Sequence, residues 1–206
     1  MLYRLGCTIF RVLLWFFGRW TIRGRENVPP TGGVIIAPNH VSLADPPAVG
    51  AALRRPTWFM AKTELFEVPV LGWLIRRTRA YPVKRGKPDR KALRRTIELL
   101  EHGELVTIFP EGERSRDGKL REPELGFALV ALKAEAPVVP VAVLGTDGVL
   151  RPGSSLPHFG NVLIRFGEPM TFPDRYGRRP TKADLRAVGE AVMARIAELR
   201  AQEREP

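Results

Sequence analysis

The sequence predicts an α/β protein with a mostly parallel central sheet flanked by helices. Short apolar runs, among them Val34-Ile35-Ile36-Ala37, Leu105 to Phe109 and Val138 to Leu144, are set off by turn-forming or charged residues, as buried strands are. Helical patterns with recognisable caps separate these runs, so strands and helices alternate along the chain. A content of 44% hydrophobic and 27% charged residues in a chain of 206 fits one globular domain with a real core.

The chain opens on an N-terminal helix over 1–20, with the α/β domain occupying 21–206. The helix joins Leu2, Leu5, Ile9, Phe10, Trp15 and Phe16 to Arg4, Arg11 and Arg19. At 100° per residue the three arginines fall within about 80° of one another. A narrow basic stripe on an apolar cylinder is the pattern of a helix lying in a bilayer interface. Spanning needs about 20 mostly apolar residues, and a mid-segment charge opposes it. No small-residue cleavage site follows, so a secretory signal fits poorly. The competing reading is a helix packed on the domain with its arginines in water.

Trp20 to Arg25 predicts a short strand, and the turn-rich 27–33 leads into a strand over 33–37. A helix over 45–54 tolerates Pro46 and Pro47 in its first turn. Strands are expected over Thr57–Ala61 and Ala80–Val83, around a helix from Val70 to Arg77. A helix from Asp89 to Glu101 is ended by Gly103, with His102 placed to cap it. The strand at 105–109, a helix over Phe127–Ala134 and strands at 138–144 and 162–166 follow. Arg151 to Gly160 reads as a surface loop. Thr181 with Asp184 caps a final helix over about 181–203, whose Leu185, Val188, Val192, Ile196 and Leu199 form one apolar stripe.

Composition excludes several functions. The single cysteine, Cys7, rules out an internal disulfide framework and a cysteine-built zinc site, and three histidines argue against a His-rich metal centre. A formal charge of +11 implies an acidic partner, whether nucleic acid, anionic bilayer or phosphorylated substrate. No nucleic-acid motif accompanies the charge, so no nucleic-acid partner is expected. Ten of the 33 lysines and arginines fall between Arg76 and Arg95. Near an anionic membrane each contributes about 1 kcal/mol. The same block can also hold donor phosphates, or present the solvated face of a helix.

The polar cluster Asn39-His40-Val41-Ser42-Leu43-Ala44-Asp45 sits where the 33–37 strand ends. Histidine can take a hydroxyl proton and later surrender it near neutral pH. A carboxylate on its other ring nitrogen fixes the tautomer. Five positions along a regular helix turn through about 140°, so the chain must bend between the two for them to meet. Spacing alone equally fits a capped turn, with Ser42 or Asp45 as the cap. Phe109-Pro110-Glu111-Gly112-Glu113-Arg114-Ser115-Arg116 leaves its strand in the same way. Arg114 and Arg116 offer planar forks suited to phosphate, and Glu111 can hold an arginine or accept a hydroxyl.

Taken together, Asn39-His40-x-Ser42-x-x-Asp45 and Phe109-Pro110-Glu111-Gly112-x-Arg114-Ser115 resemble the glycerolipid acyltransferase family. Tyr81-Pro82-Val83-Lys84-Arg85-Gly86 is similar to the family's arginine-containing strand, and Val138-Val139-Pro140-Val141-Ala142 to its proline-centred block. The resemblance runs from about Arg23 to Phe166. It implies transfer of a fatty acyl group from acyl-CoA or acyl-carrier protein to the hydroxyl of a lysophospholipid, foremost 1-acyl-sn-glycerol-3-phosphate, giving phosphatidic acid. His40 is then the general base and Asp45 its orienter. Arg85, Glu111, Gly112 and Arg114 bind the acceptor phosphate, with Asn39 and Ser42 as further substrate contacts. No metal and no cofactor are expected, and the enzyme is expected on an anionic membrane, at the cytoplasmic face.

Two departures bear on the acceptor. Glu113 stands where threonine is usual, and Glu124 where lysine is common. Both reduce positive charge beside the expected phosphate site, so glycerol 3-phosphate or a lysophosphodiester lipid remains an alternative acceptor. A membrane-binding module without catalysis is the rival reading of another class.

Overall fold

A computed structural model describes residues 2–84, 89–115, 117–151 and 156–202. Seven strands form one sheet: β1 (Thr21–Arg23), β2 (Val34–Pro38), β3 (Thr57–Lys62), β4 (Ala80–Val83), β5 (Leu105–Thr107), β6 (Val138–Leu144) and β7 (Leu163–Phe166). Their order is β1-β7-β6-β2-β5-β3-β4, and every pair is parallel except β6–β7. The helices are α1 (Leu2–Gly18), α2 (Asp45–Ala52), α3 (Pro69–Arg77), α4 (Arg90–Glu101), α5 (Leu125–Lys133), α6 (Thr146–Val149) and α7 (Lys182–Ala201). The expected α/β class with a mostly parallel, helix-flanked sheet is what the chain adopts.

Parallel strands covered on both faces read as unbroken apolar runs, which is why β2 has no polar alternation. All five of its residues are buried. Ile35, Ala37, Val106 and Ile108 pack with residues of α4, α5 and α7. Val34, Ile36, Leu105, Val139 and Val141 turn the other way, into a cluster with Leu14 of α1 and Val49 of α2. Each of the valine, leucine and isoleucine side chains contributes about 1.5–3 kcal/mol through burial. β2 and β5 therefore lie in the middle of a three-layer sandwich, and the loops that follow them hold the polar motifs.

Element ends follow their caps. Asp89 lies outside α4 and caps it, Oδ1 accepting from the amides of Lys91 and Ala92 at 3.1 Å each. Thr181 and Asp184 form a reciprocal capping box at the start of α7. Below it Val188, Val192, Ile196 and Leu199 are buried. β5 ends at Thr107. The Ile108 amide still donates to the Ile36 carbonyl at 2.9 Å, but Phe109 leaves the ladder ahead of Pro110.

In α1 the arginines do not share one outward face. Arg11 turns in towards the end of α2, where Nε donates to the Ala51 carbonyl at 2.8 Å and Nη2 to the Leu53 carbonyl at 3.3 Å. That is a cation satisfying orphan carbonyls at a helix C-terminus. The outward side is instead apolar: Leu5, Ile9, Val12, Trp15 and Phe16 are all more than half exposed. Among the described residues no helix is long and apolar enough to cross a membrane.

Candidate active site

β2 delivers the loop 39–45 at the carboxyl end of the sheet. The side-chain amide of Asn39 imitates one further backbone step of the strand. Its Nδ2 donates to the Val143 carbonyl at 3.0 Å and its Oδ1 accepts from the Val143 amide at 2.8 Å, so the side chain pairs with β6 as a backbone would. The chain then bends, and the carboxylate of Asp45 at the start of α2 gathers the bend. Oδ2 lies 2.7 Å from Nδ1 of His40 and accepts from the amides of Val41 and Ser42, each at 2.7 Å. Asp45 is fully buried, and the His40 side chain is 7% exposed.

A carboxylate oxygen taking two amide donors can only accept from the imidazole as well, so Nδ1 carries the proton. Nε2 then holds the lone pair, and it has no hydrogen-bond partner among the described residues. This is the tautomer a general base needs. The ring is fixed from its face too: Phe109 stacks on it with centroids 4.0 Å apart and 26° between planes.

The second motif grips the main chain of the first. The His40 amide donates to Oε1 of Glu111 at 2.9 Å, and the Ser115 amide donates to the His40 carbonyl at 2.8 Å. Oε2 of Glu111 accepts from the Arg121 amide at 3.0 Å. Burial pushes the Glu111 carboxyl above the usual glutamate value, and the two amide bonds offset only part of that shift. Gly112 makes the turn possible. It has φ +70, and a Cβ there would lie 2.8 Å from Cγ of Glu124.

Four residues expected at the substrate thus act on the protein itself. Asn39 and Ser42 are 0% and 3% exposed. Ser42 Oγ accepts from the Ala44 amide and donates to the Leu150 carbonyl. Both oxygens of Glu111 are taken by main-chain amides, and the Gly112 amide donates to the Phe109 carbonyl. These polar groups are used before a substrate arrives. Arg114 is exposed and makes no ion pair with a described residue. Arg85 lies outside the described residues. Glu113 pairs with Arg121 at 2.6 Å, both exposed.

Several of the basic residues in 76–95 are engaged within the fold. Arg76 donates to the Phe66 carbonyl, Arg79 pairs with Glu104 at 2.8 Å, and Arg77 lies over the Trp73 ring at 4.4 Å. Two contributors to the site carried no reading from sequence, Phe109 as the ring partner of His40 and Thr146. Oγ1 of Thr146 donates to Oδ1 of Asp45 at 2.5 Å. Nothing local signals a contact across 101 positions.

Fold and site define a class: an α/β protein with a buried carboxylate–imidazole pair at the carboxyl end of a mostly parallel sheet, an arrangement that can serve general-base chemistry. Comparison with known proteins gives the family. Residues 19–144 match the Acyltransferase family, and the chain belongs to it. A 1-acyl-sn-glycerol-3-phosphate acyltransferase of Bacillus subtilis (strain 168) is 32% identical over 200 residues, covering 96% of both chains. A chloroplastic 1-acyl-sn-glycerol-3-phosphate acyltransferase of Brassica napus is 34% identical over 173 residues, 82% of this chain and 48% of that protein. This chain therefore spans about half of the plant enzyme. The crystal structure of the 1-acyl-sn-glycerophosphate (LPA) acyltransferase PlsC from Thermotoga maritima superposes with a TM-score of 0.75 at 31% identity, over 97% of this chain and 78% of that one.

Proposed function

We propose that this acyltransferase moves a fatty acyl group from a coenzyme A or acyl-carrier-protein thioester to the free hydroxyl of 1-acyl-sn-glycerol-3-phosphate, forming phosphatidic acid. The observation that carries the reading is the 2.7 Å contact between Nδ1 of His40 and Oδ2 of Asp45, which leaves the Nε2 lone pair for a hydroxyl. Nε2 takes the hydroxyl proton as the oxygen attacks the thioester carbonyl. Asp45 stabilises the imidazolium that forms. The C–S bond breaks as the tetrahedral intermediate collapses, and the imidazolium returns its proton to the leaving sulfur. An ester and a free thiol result, with neither an acyl-enzyme nor a cofactor in the sequence of steps.

Arg114 in this proposal meets the acceptor phosphate, together with Arg85 of the 80–86 stretch, because a guanidinium fork matches phosphate oxygens. Asn39, Ser42, Glu111 and Gly112 serve by holding the two loops in register. The apolar outer face of α1 rests in the interface of a membrane leaflet, where a lysolipid is held. Acyl-CoA and acyl-carrier protein as donors put that leaflet on the cytoplasmic side.

Purified protein in mixed micelles, offered each donor with a panel of acceptors, tests this. The panel holds lysophosphatidate, glycerol 3-phosphate and a lysophosphodiester. Thiol release and product mass are expected with lysophosphatidate first. Release with none of them contradicts the proposal, and preference for the phosphodiester assigns Glu113 and Glu124 a role in acceptor choice.

A further inference from the structure

Asp45 is held by a group that lies beyond the matched stretch 19–144. Its Oδ2 takes three donors, His40 Nδ1 and the amides of Val41 and Ser42. Its Oδ1 takes one, the hydroxyl of Thr146 at 2.5 Å. Both Asp45 and Thr146 are 0% exposed, and among the described residues Oδ1 has no other donor. A carboxylate anchored at one oxygen can still rotate about its Cβ–Cγ bond, and a second anchor on the other oxygen stops it.

The approach of Thr146 is built into the end of β6. Gly145 has φ +79, and a Cβ on it would lie 1.8 Å from the Asn161 carbonyl oxygen, so a tight left-handed turn delivers the next residue inward. The same strand end holds Asn39 through Val143. The end of β6 and the first residue of α6 thus grip the two ends of the loop that carries His40.

We infer that Thr146 is a positioning residue of the acyl-transfer site, locking the Asp45 carboxylate so that Oδ2 stays aimed at Nδ1 of His40. The inference rests on the reading of His40 as general base. Thr146 touches no reacting atom and acts only through Asp45.

The test uses the full chain with Thr146→Val, Thr146→Ser and His40→Ala. Turnover is measured as thiol release from acyl donor with lysophosphatidate, alongside the Nδ1 proton resonance of His40 and thermal melting. Valine keeps the shape and removes the donor, leaving a buried charged oxygen without a partner. Thr146→Val is expected to lower kcat about tenfold to a hundredfold, the range for one charge-assisted bond. The KM for acceptor and donor stays as in the wild type, and the Nδ1 proton signal broadens into exchange with water. Thr146→Ser restores both kcat and signal. A purely structural role predicts a lower melting temperature with kcat and the signal unmoved, and that result overturns the inference. If Thr146→Val does not fold, Thr146→Ala takes its place. Failure of both makes the hydroxyl a folding determinant and also overturns it. The two claims separate: an active His40→Ala removes the base itself, whereas an inactive His40→Ala beside an unaffected Thr146→Val removes only the role of Thr146.

Discussion

The main-chain amide of His40 donates to Oε1 of Glu111, 71 positions further along the chain, at 2.9 Å. The other oxygen of the same carboxylate holds the Arg121 amide. Only a carboxylate offers two acceptor oxygens in this geometry. In Glu111→Gln the amide nitrogen faces an N–H donor, and one buried amide loses its partner. Melting is expected to report a loss of about 1–3 kcal/mol, with a fall in kcat as the His40 loop loosens. Chemical denaturation and steady-state turnover of the same preparation check both.

The pH dependence of that difference has a defined sign. Burial raises the folded-state value of Glu111 above the ordinary 4.5. The folded state therefore binds the proton more tightly than the unfolded chain. Its contribution to stability is fully present below 4.5 and is lost as pH rises through the folded value. The melting temperature of the wild type minus that of Glu111→Gln should shrink with rising pH above 4.5. A difference that is flat or grows over that window contradicts the electrostatic account of Glu111.

Gly112 turns the second motif with φ +70. In Gly112→Ala the left-handed backbone costs about 1 kcal/mol, and the new Cβ displaces the Glu124 side chain. Turnover should fall with stability, since the same turn carries Phe109 onto the His40 ring and Glu111 onto its amide. Melting and kcat measured together are expected to drop; an unchanged kcat in a destabilised protein would separate the turn from the site.

The outward face of α1 makes a prediction that leaves catalysis aside. Trp15 is 73% and Phe16 56% exposed, and an exposed indole beside an exposed apolar ring favours a lipid interface. The double change Trp15→Glu with Phe16→Glu should cut co-sedimentation with anionic vesicles by about tenfold or more. Melting should be little affected, because neither residue belongs to the buried cluster under α1. Retained vesicle binding places the membrane contact elsewhere on the protein.

The strands were legible because a doubly covered parallel sheet writes itself as apolar runs: Ala80–Val83 and Val138–Leu144 have the same bounds in sequence and structure. The His40–Asp45 pair was legible only beside the second motif, since a separation of five positions says nothing of a bend. What periodicity could not reveal is which side of a helix docks. It gathered Arg4, Arg11 and Arg19 into a stripe, yet Arg11 points at α2 and the apolar side faces out. Nor could it reveal partners brought together by topology. Asn39 meets Val143 across 104 positions and Asp45 meets Thr146 across 101, and no local pattern records either. From sequence Glu111 can hold an arginine, accept a hydroxyl or help bind the acceptor phosphate, and no local pattern records that its two oxygens meet the main-chain amides of His40 and Arg121.

The central claim is that Nε2 of His40 accepts the proton of the acceptor hydroxyl. Single-turnover acyl transfer by His40→Ala, with lysophosphatidate and acyl donor both saturating, tests it most directly. The account predicts a rate lower by about 10²–10⁴, with the acceptor still bound at wild-type affinity and the fold intact by melting. A folded His40→Ala that transfers the acyl group at the wild-type rate contradicts it.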